Sequence, residues 1–248
     1  MGRLGVVGGH SLLGSSFAAD ASVLEISAND ADPIRVLDAG DYVFLQRHGH
    51  DQYHPPHLID HVANVRALHS IGCDRILAVG SVGGLQSDHV VGGVVAPHDF
   101  IALDHVVSGF DDAHGHRVPD FDPAWRHTMI DAWNDASTQG GSAGAGATAA
   151  VLENCVYWQT AGPRFETPAE IRLLSQFADV VGMTIASECI VAGELGLAYA
   201  AICVIDNLAN GVRDEVLTRE QFEAGKAANR AATVATLGQA ARSLARTA

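Results

Sequence analysis

Three short apolar runs in this chain end in residues able to hold an oxyanion: Gly5-Val6-Val7-Gly8-Gly9-His10-Ser11, Phe44-Leu45-Gln46-Arg47-His48-Gly49 and Ile76-Leu77-Ala78-Val79-Gly80-Ser81-Val82-Gly83-Gly84. Each places backbone N–H groups or a cation just past a strand, and together they point to a small anionic ligand, a phosphate above all. Nucleotide cofactors do not fit. Gly8-Gly9-His10-Ser11-Leu12-Leu13-Gly14 departs from the G-x-G-x-x-G spacing of a dinucleotide fold, and the only lysine, Lys226, lies in no Gly-Lys-Ser/Thr loop. The histidines at 48, 50, 54, 57 and 61 invite a metal reading, because His57 and His61 would share a helix face. His57-Leu58-Ile59-Asp60-His61 lacks the glutamate that follows the first histidine of a zincin, so no metal site is expected.

The elements that must carry these turns alternate. Leu4 to Val7 and Asp41 to Leu45 read as strands. Pro55-Pro56 starts a helix with Leu58, Val62, Val65 and Leu68 on one face, and Arg75 to Val79 is again a strand. Val94-Val95-Ala96 and Phe100 to Leu103 read as two strands, followed after Asp122-Pro123 by a helix with the stripe Trp125, Met129, Ile130, Trp133. Ser137 to Ala150 is a Gly/Ala/Ser-rich connection, not a domain boundary, since a strand from Val151 to Thr160 resumes the alternation. Thr167-Pro168-Ala169-Glu170 caps a helix to about Phe177, with strand Ala178 to Met183, helix Ser187 to Leu195, strand Ala198 to Ile205 and a long helix from Glu220 completing the order. The expectation is one α/β domain over 1–248, with a mixed, twisted central sheet flanked by helices.

Composition narrows the partners. Fifteen basic against 29 acidic residues give a formal charge of -14, which repels nucleic acid and anionic lipid and favours a small-molecule ligand. A 48% hydrophobic content over 248 residues supplies a sizeable core. Cys73, Cys155, Cys189 and Cys203 show no C-x-x-C spacing and read as buried thiols. No leader-like or membrane-spanning run is evident, and a cytoplasmic location is expected.

Gly8-Gly9-His10, Arg47-His48-Gly49, Ser81-Val82-Gly83-Gly84-Leu85, Ala161-Gly162-Pro163-Arg164-Phe165-Glu166-Thr167, Val181-Gly182-Met183-Thr184 with Glu188, and Ile205-Asp206-Asn207 occur in the order of the trimeric purine nucleoside phosphorylase and methylthioadenosine phosphorylase family. Singly, a Gly-Gly pair is compatible with a plain tight turn and Arg-His with a surface ion pair. In this joint order the chain resembles that family over nearly its whole length. The resemblance implies phosphorolysis: phosphate attacks C1′ of a purine nucleoside, releasing free base and pentose 1-phosphate, with inorganic phosphate as co-substrate and no cofactor. It places phosphate at His10, Ser11, Arg47, His48, the Gly80-Ser81 backbone and Thr184, with Arg47 giving a bidentate fork and Ser81 giving N–H groups in a turn. Phe165 would stack on the purine, Met183 would cover the ribose, Val82 and Gly83 would line the substrate site, and Glu166 and Asn207 would act on the polar edge of the base as the catalytic pair.

Departures from the family accompany this match. His10-Ser11 replaces the usual Thr-Gly, so the phosphate-gripping hydroxyl has moved one place or given way to imidazole. Gln52 stands where relatives carry histidine, although His50 and His54 lie nearby, and Ser187 replaces the proline before Glu188. Glu166 and Asn207 match the members that act on 6-oxopurines, whereas a one-residue shift onto Asp206 would restore the adenine type. At the 5′ end, Arg219 or Thr218 falls where a histidine is usual, leaving Leu217 and a neighbouring subunit's Val118 to line a pocket open to 5′-methylthio groups. The family resemblance also implies a homotrimer or a dimer of trimers, with a residue near His116-Arg117-Val118-Pro119 lent to the adjacent subunit. A methylthioadenosine phosphorylase, a nucleoside hydrolase and a non-catalytic nucleoside-binding protein are the alternatives.

Overall fold

A computed structural model describes residues 2–27, 33–104, 106–139, 150–213 and 218–246. Among them, strands β1 (Arg3–Gly8), β2 (Ser22–Ile26), β3 (Ile34–Asp38), β4 (Tyr42–Gln46), β5 (Cys73–Gly84), β6 (Val94–Ile101), β7 (Leu152–Gln159), β8 (Val180–Gly182) and β9 (Ala198–Leu208) form one mixed sheet in the order β2-β3-β4-β1-β5-β8-β7-β6-β9. An additional parallel pairing of β5 with β9 closes the last five strands into a ring, and the other four extend from it as an open wing. Among the described residues, five α-helices flank the sheet: α1 (His61–Ser70), α2 (Pro123–Gln139), α3 (Pro168–Leu174), α4 (Ile185–Glu194) and α5 (Arg219–Arg246).

Both faces of the central strands are covered, which explains their near-continuous apolar sequence. Along β5, Ile76 and Ala78 pack into the cluster holding Val65 and Leu68 of α1 and Ile185 and Cys189 of α4. Leu77 and Val79 face the opposite cluster with Trp125, Met129 and Trp133 of α2 and Leu237 and Ala241 of α5. The period of two thus assigns α1 and α4 to one side and α2 and α5 to the other.

Three readings of the sequence are corrected. The run from Pro55 is a single 3-10 turn, Pro56–Leu58, and α1 starts at His61, where the Asp60 carboxylate accepts from Ala63 N–H at 2.8 Å. Leu58 therefore misses the buried stripe and is exposed. The two short strands read between Val94 and Leu103 are one strand, β6. Strand β5 continues to Gly84 through the segment expected to turn at Ser81. The β2–β3 hairpin carries exposed positions along β2, so no clean alternation announced it. Residues 140–149 of the Gly/Ala/Ser-rich run and Leu217 lie outside the described residues; the start of that run, to Gln139, is the end of α2. The capping box of Thr167 and Glu170 forms as the sequence indicates.

Candidate active site

The site follows from where strands stop. β1 pairs with β5 as far as Gly8 opposite Val79, and β8 joins the same edge only at Gly83, so Gly80, Ser81 and Val82 have no strand neighbour there. A pocket opens at this gap, at the carboxyl ends of the parallel strands β1, β4 and β5, where α/β sheets generally bind ligands. Its walls bring together His10, Arg47, His48, Ser81, Val82, Gly83, Phe165, Glu166, Met183, Thr184 and Asn207 from segments far apart in the chain.

Two expected positions do not line it. Ser11 turns into the interior within the 3-10 turn His10–Leu12, with its Oγ buried and without a hydrogen-bond partner. Of the two readings of the first turn, the imidazole of His10 therefore takes the pocket-facing place. Gly80 lies behind the wall, where a side chain would meet Cys203 and Ile185, and the exposed strand edge is carried by Ser81 and Val82.

Arg47 is almost wholly buried and its fork is already engaged. Nε and Nη2 both donate to the Glu188 carboxylate, Nη2 at 2.8 Å, and Nη1 donates to the Val79 carbonyl at 3.0 Å. This pairing takes three of the five guanidinium hydrogens and leaves one on each Nη, so any grip on an anion in the pocket that Arg47 lines is limited to those two. Gly9 makes room for the arrangement, since a Cβ there would lie 2.5 Å from Nη1. Tyr199 donates a third hydrogen bond to Glu188 at 2.8 Å. With Arg47 and the hydroxyl beside it, Glu188 titrates below the usual carboxylate range despite complete burial.

His10 and His48 are neutral at physiological pH. Burial is the main cause of a fall to about 4 in each, aided at His10 by Lys226 and at His48 by Arg47. His48 Nδ1 lies 2.9 Å from the His54 carbonyl and is the donor, which leaves Nε2 as an acceptor. Its ring stacks on Tyr53 at 5.3 Å and meets the edge of His10 at 5.6 Å.

At the other end, Thr160 donates from its hydroxyl to Glu166 Oε1 at 2.6 Å, orienting a carboxylate whose second oxygen is uncommitted. Asn207 spends one amide hydrogen on the Leu208 carbonyl at 2.8 Å and keeps the other, with its carbonyl, for a ligand. The register question is settled by geometry: Asn207 lines the pocket, and Asp206 points into the protein, where Asn229 donates to Oδ1 at 2.8 Å and Ser81 donates to Oδ2 at 2.5 Å.

Thr184 precedes α4 without using its hydroxyl as a cap. The helix amides are held from behind instead: Tyr157 Oη accepts from Thr184 N–H at 3.2 Å, and Gln159 Oε1 accepts from Ser187 N–H at 3.0 Å. A proline at 187 would have no hydrogen to give, so the buried Gln159 matches the departure at Ser187.

Sequence reasoning missed Phe222, which enters the pocket from α5 and packs edge-on against both His10 and Phe165. The helical period held the signal, because Arg219, Phe222 and Glu223 share one face counted from the cap at Thr218. All three line an outer chamber of about 510 Å³ with Leu13, Tyr53, Pro56 and Met183. The Thr218 hydroxyl accepts from Gln221 N–H at 3.2 Å as part of that cap and faces neither cavity. Among the described residues no His, Cys, Asp and Glu group is arranged to hold a metal ion, and no helix is long and apolar enough to cross a membrane.

The sequence pattern of the phosphorylase superfamily matches residues 11–239. The chain belongs to this superfamily. A relative from Archaeoglobus fulgidus described as a probable 6-oxopurine nucleoside phosphorylase is 36% identical over 228 residues, covering 90% of this chain and 89% of that protein. One from Methanosarcina acetivorans described as a probable S-methyl-5′-thioinosine phosphorylase is 36% identical over 180 residues, covering 72% and 66%. A solved methylthioadenosine phosphorylase from Schistosoma mansoni, bound to adenine, superposes over 100% of this chain and 93% of its own with a TM-score of 0.82 at 22% identity, a likeness of superfamily fold.

Proposed function

We propose that this protein is a purine nucleoside phosphorylase acting on 6-oxopurine nucleosides, with inorganic phosphate as co-substrate and no cofactor. The observation that carries the reading is one pocket lined both by an arginine, two histidines and a threonine and by the oriented Glu166 carboxylate and Asn207. Phosphate at the first group would attack C1′ as the glycosidic bond breaks through an oxocarbenium-like state. Negative charge then gathers on the departing purine, where the free amide hydrogen of Asn207 stabilises it. A 6-oxopurine carries a proton on N1 for the open oxygen of Glu166, whereas a 6-aminopurine presents a lone pair there. The names of the relatives support this base class.

The outer chamber favours nucleosides with an apolar 5′ end. Phe222, Leu13, Met183 and Pro56 offer contact area beside the polar His10, Tyr53, Arg219 and Glu223, while Thr218 lies outside the chamber and α5 carries no histidine for a 5′-hydroxyl. A 5′-methylthio purine nucleoside is therefore a second substrate within the same reading. We further propose a homotrimer or dimer of trimers, with the exposed Val118 segment lent to a neighbour's site, and a role in cytoplasmic purine salvage consistent with four unpaired buried thiols.

The test is a panel of purine nucleosides assayed for base release with and without phosphate. Phosphate-dependent release, faster from inosine or 5′-methylthioinosine than from their 6-amino counterparts, is expected. Equal release in phosphate-free buffer would assign a hydrolase instead.

A further inference from the structure

Ser81 lines the pocket, yet its hydroxyl proton is committed elsewhere. The Oγ donates to Oδ2 of Asp206 at 2.5 Å, while Oδ1 of the same carboxylate accepts from Asn229 on α5 at 2.8 Å. Asp206 is 1% exposed, held where α5 lies close on β9: Gly225 leaves no space for a Cβ above the Asp206 carbonyl. A hydroxyl has one hydrogen and two lone pairs, so a serine donating to a fixed carboxylate turns only lone pairs toward a ligand.

We propose that Asp206 is a positioning residue that makes Ser81 a hydrogen-bond acceptor in the pocket, so that the site selects an oxyanion carrying its own proton, the monoanion of phosphate, over fully deprotonated oxyanions. The inference rests on the phosphorylase reading and concerns its co-substrate's ionic form. Charge at the site agrees with the geometry. Arg47 is the cation on the pocket wall, and its charge is already matched by Glu188. His10 and His48 line the same space as neutral rings, and the ring nitrogen that His48 leaves unused at the His54 carbonyl is an acceptor. Glu166 adds a carboxylate on the far wall, and on α5 the charge of Lys226 is paired with Glu223 at 2.5 Å. A dianion would meet the lone pairs of Ser81 and have for partners the remaining Arg47 hydrogens and the Thr184 hydroxyl, with Arg219 and Arg230 of α5 acting from beyond His10; a P–OH group would in addition donate to Ser81. The Asp206 carboxyl is itself raised by burial, against the favourable pull of Asn229, Ser81 and Lys226.

Sulfate separates the two ionic forms, since it matches phosphate in size and shape but holds no proton near neutrality. With the full-length protein and its best nucleoside, the KM for total phosphate should rise about tenfold per pH unit above the second ionisation of phosphate, and sulfate should compete at least about tenfold more weakly than phosphate binds. In Asp206→Asn, Asn229 still has a carbonyl to donate to and the new amide donates to Ser81, freeing its hydrogen for the anion. Sulfate inhibition should then tighten about tenfold, the pH dependence of KM should flatten, and kcat should change less than KM. Should that variant fail to fold, the wild-type sulfate-to-phosphate ratio decides by itself. Sulfate competing as tightly as phosphate in the wild type, or a folded variant with an unchanged ratio, overturns the inference. Base release that ignores phosphate altogether removes the parent reading instead.

Discussion

Arg47 and Glu188 stand 141 residues apart and meet as a two-pronged, fully buried ion pair at the floor of the pocket. The cation expected to serve the ligand alone is thus also a structural partner, and substitutions at either end must be read on stability before they are read on activity. Removing one member strands a buried charge. Arg47→Ala or Glu188→Ala should each cost about 3–5 kcal/mol, while the paired replacement Arg47→Met with Glu188→Leu should cost far less than their sum. Urea midpoints across the double-mutant cycle check this, and additive costs would contradict the coupling.

The two neutral histidines predict a pH signature. An unfolded chain takes up protons on histidine near pH 6.5, but His10 and His48 do so in the native state only at about 4. The unfolded state therefore binds more protons between these values, so this part of the stability is complete above pH 6.5 and lost as pH falls through about 4. For His48, the more buried of the two, the loss should be about 3 kcal/mol. Chemical denaturation at intervals of pH should show it, and His48→Gln should flatten the profile.

Base choice turns on Glu166 and the hydroxyl that orients it. Glu166→Gln replaces one acceptor with an amide and should lower kcat/KM for inosine by about 10- to 100-fold. Thr160→Val, which removes the 2.6 Å hydrogen bond to Oε1 without touching the ligand pocket, should lower it less. Asn207→Asp should move the ratio of adenosine to inosine turnover upward. Steady-state kinetics on both nucleosides with each variant give the answer; an unaltered ratio in Asn207→Asp would separate Asn207 from base selection.

Phe222 forms the apolar side of the outer chamber, so its truncation should be felt at the 5′ end of the nucleoside. Phe222→Ala should reduce kcat/KM for 5′-methylthioinosine about tenfold and for inosine by less. Loss of both in equal measure would place Phe222 against the base or ribose instead.

Much of this molecule was written locally. The Thr167-Glu170 capping box, the α2 stripe of Trp125, Met129, Ile130 and Trp133, and the alternation of Ile76, Leu77, Ala78 and Val79 across two cores depend on periods of 3.6 and 2 that a sequence displays directly. The motif order carried the membership of the pocket for the same reason, because each segment sits at a strand end that local pattern locates. Tertiary structure decided what no local pattern encodes. The partner of Arg47, the inward turn of Ser11, the choice of Asn207 over Asp206 as the residue facing the pocket and the arrival of Phe222 from α5 all follow from which elements the topology brings side by side. A side chain's chemistry is fixed by its type, but whether its hydrogens and charge are free for a ligand depends on neighbours more than a hundred residues away, and those are set only when the sheet closes.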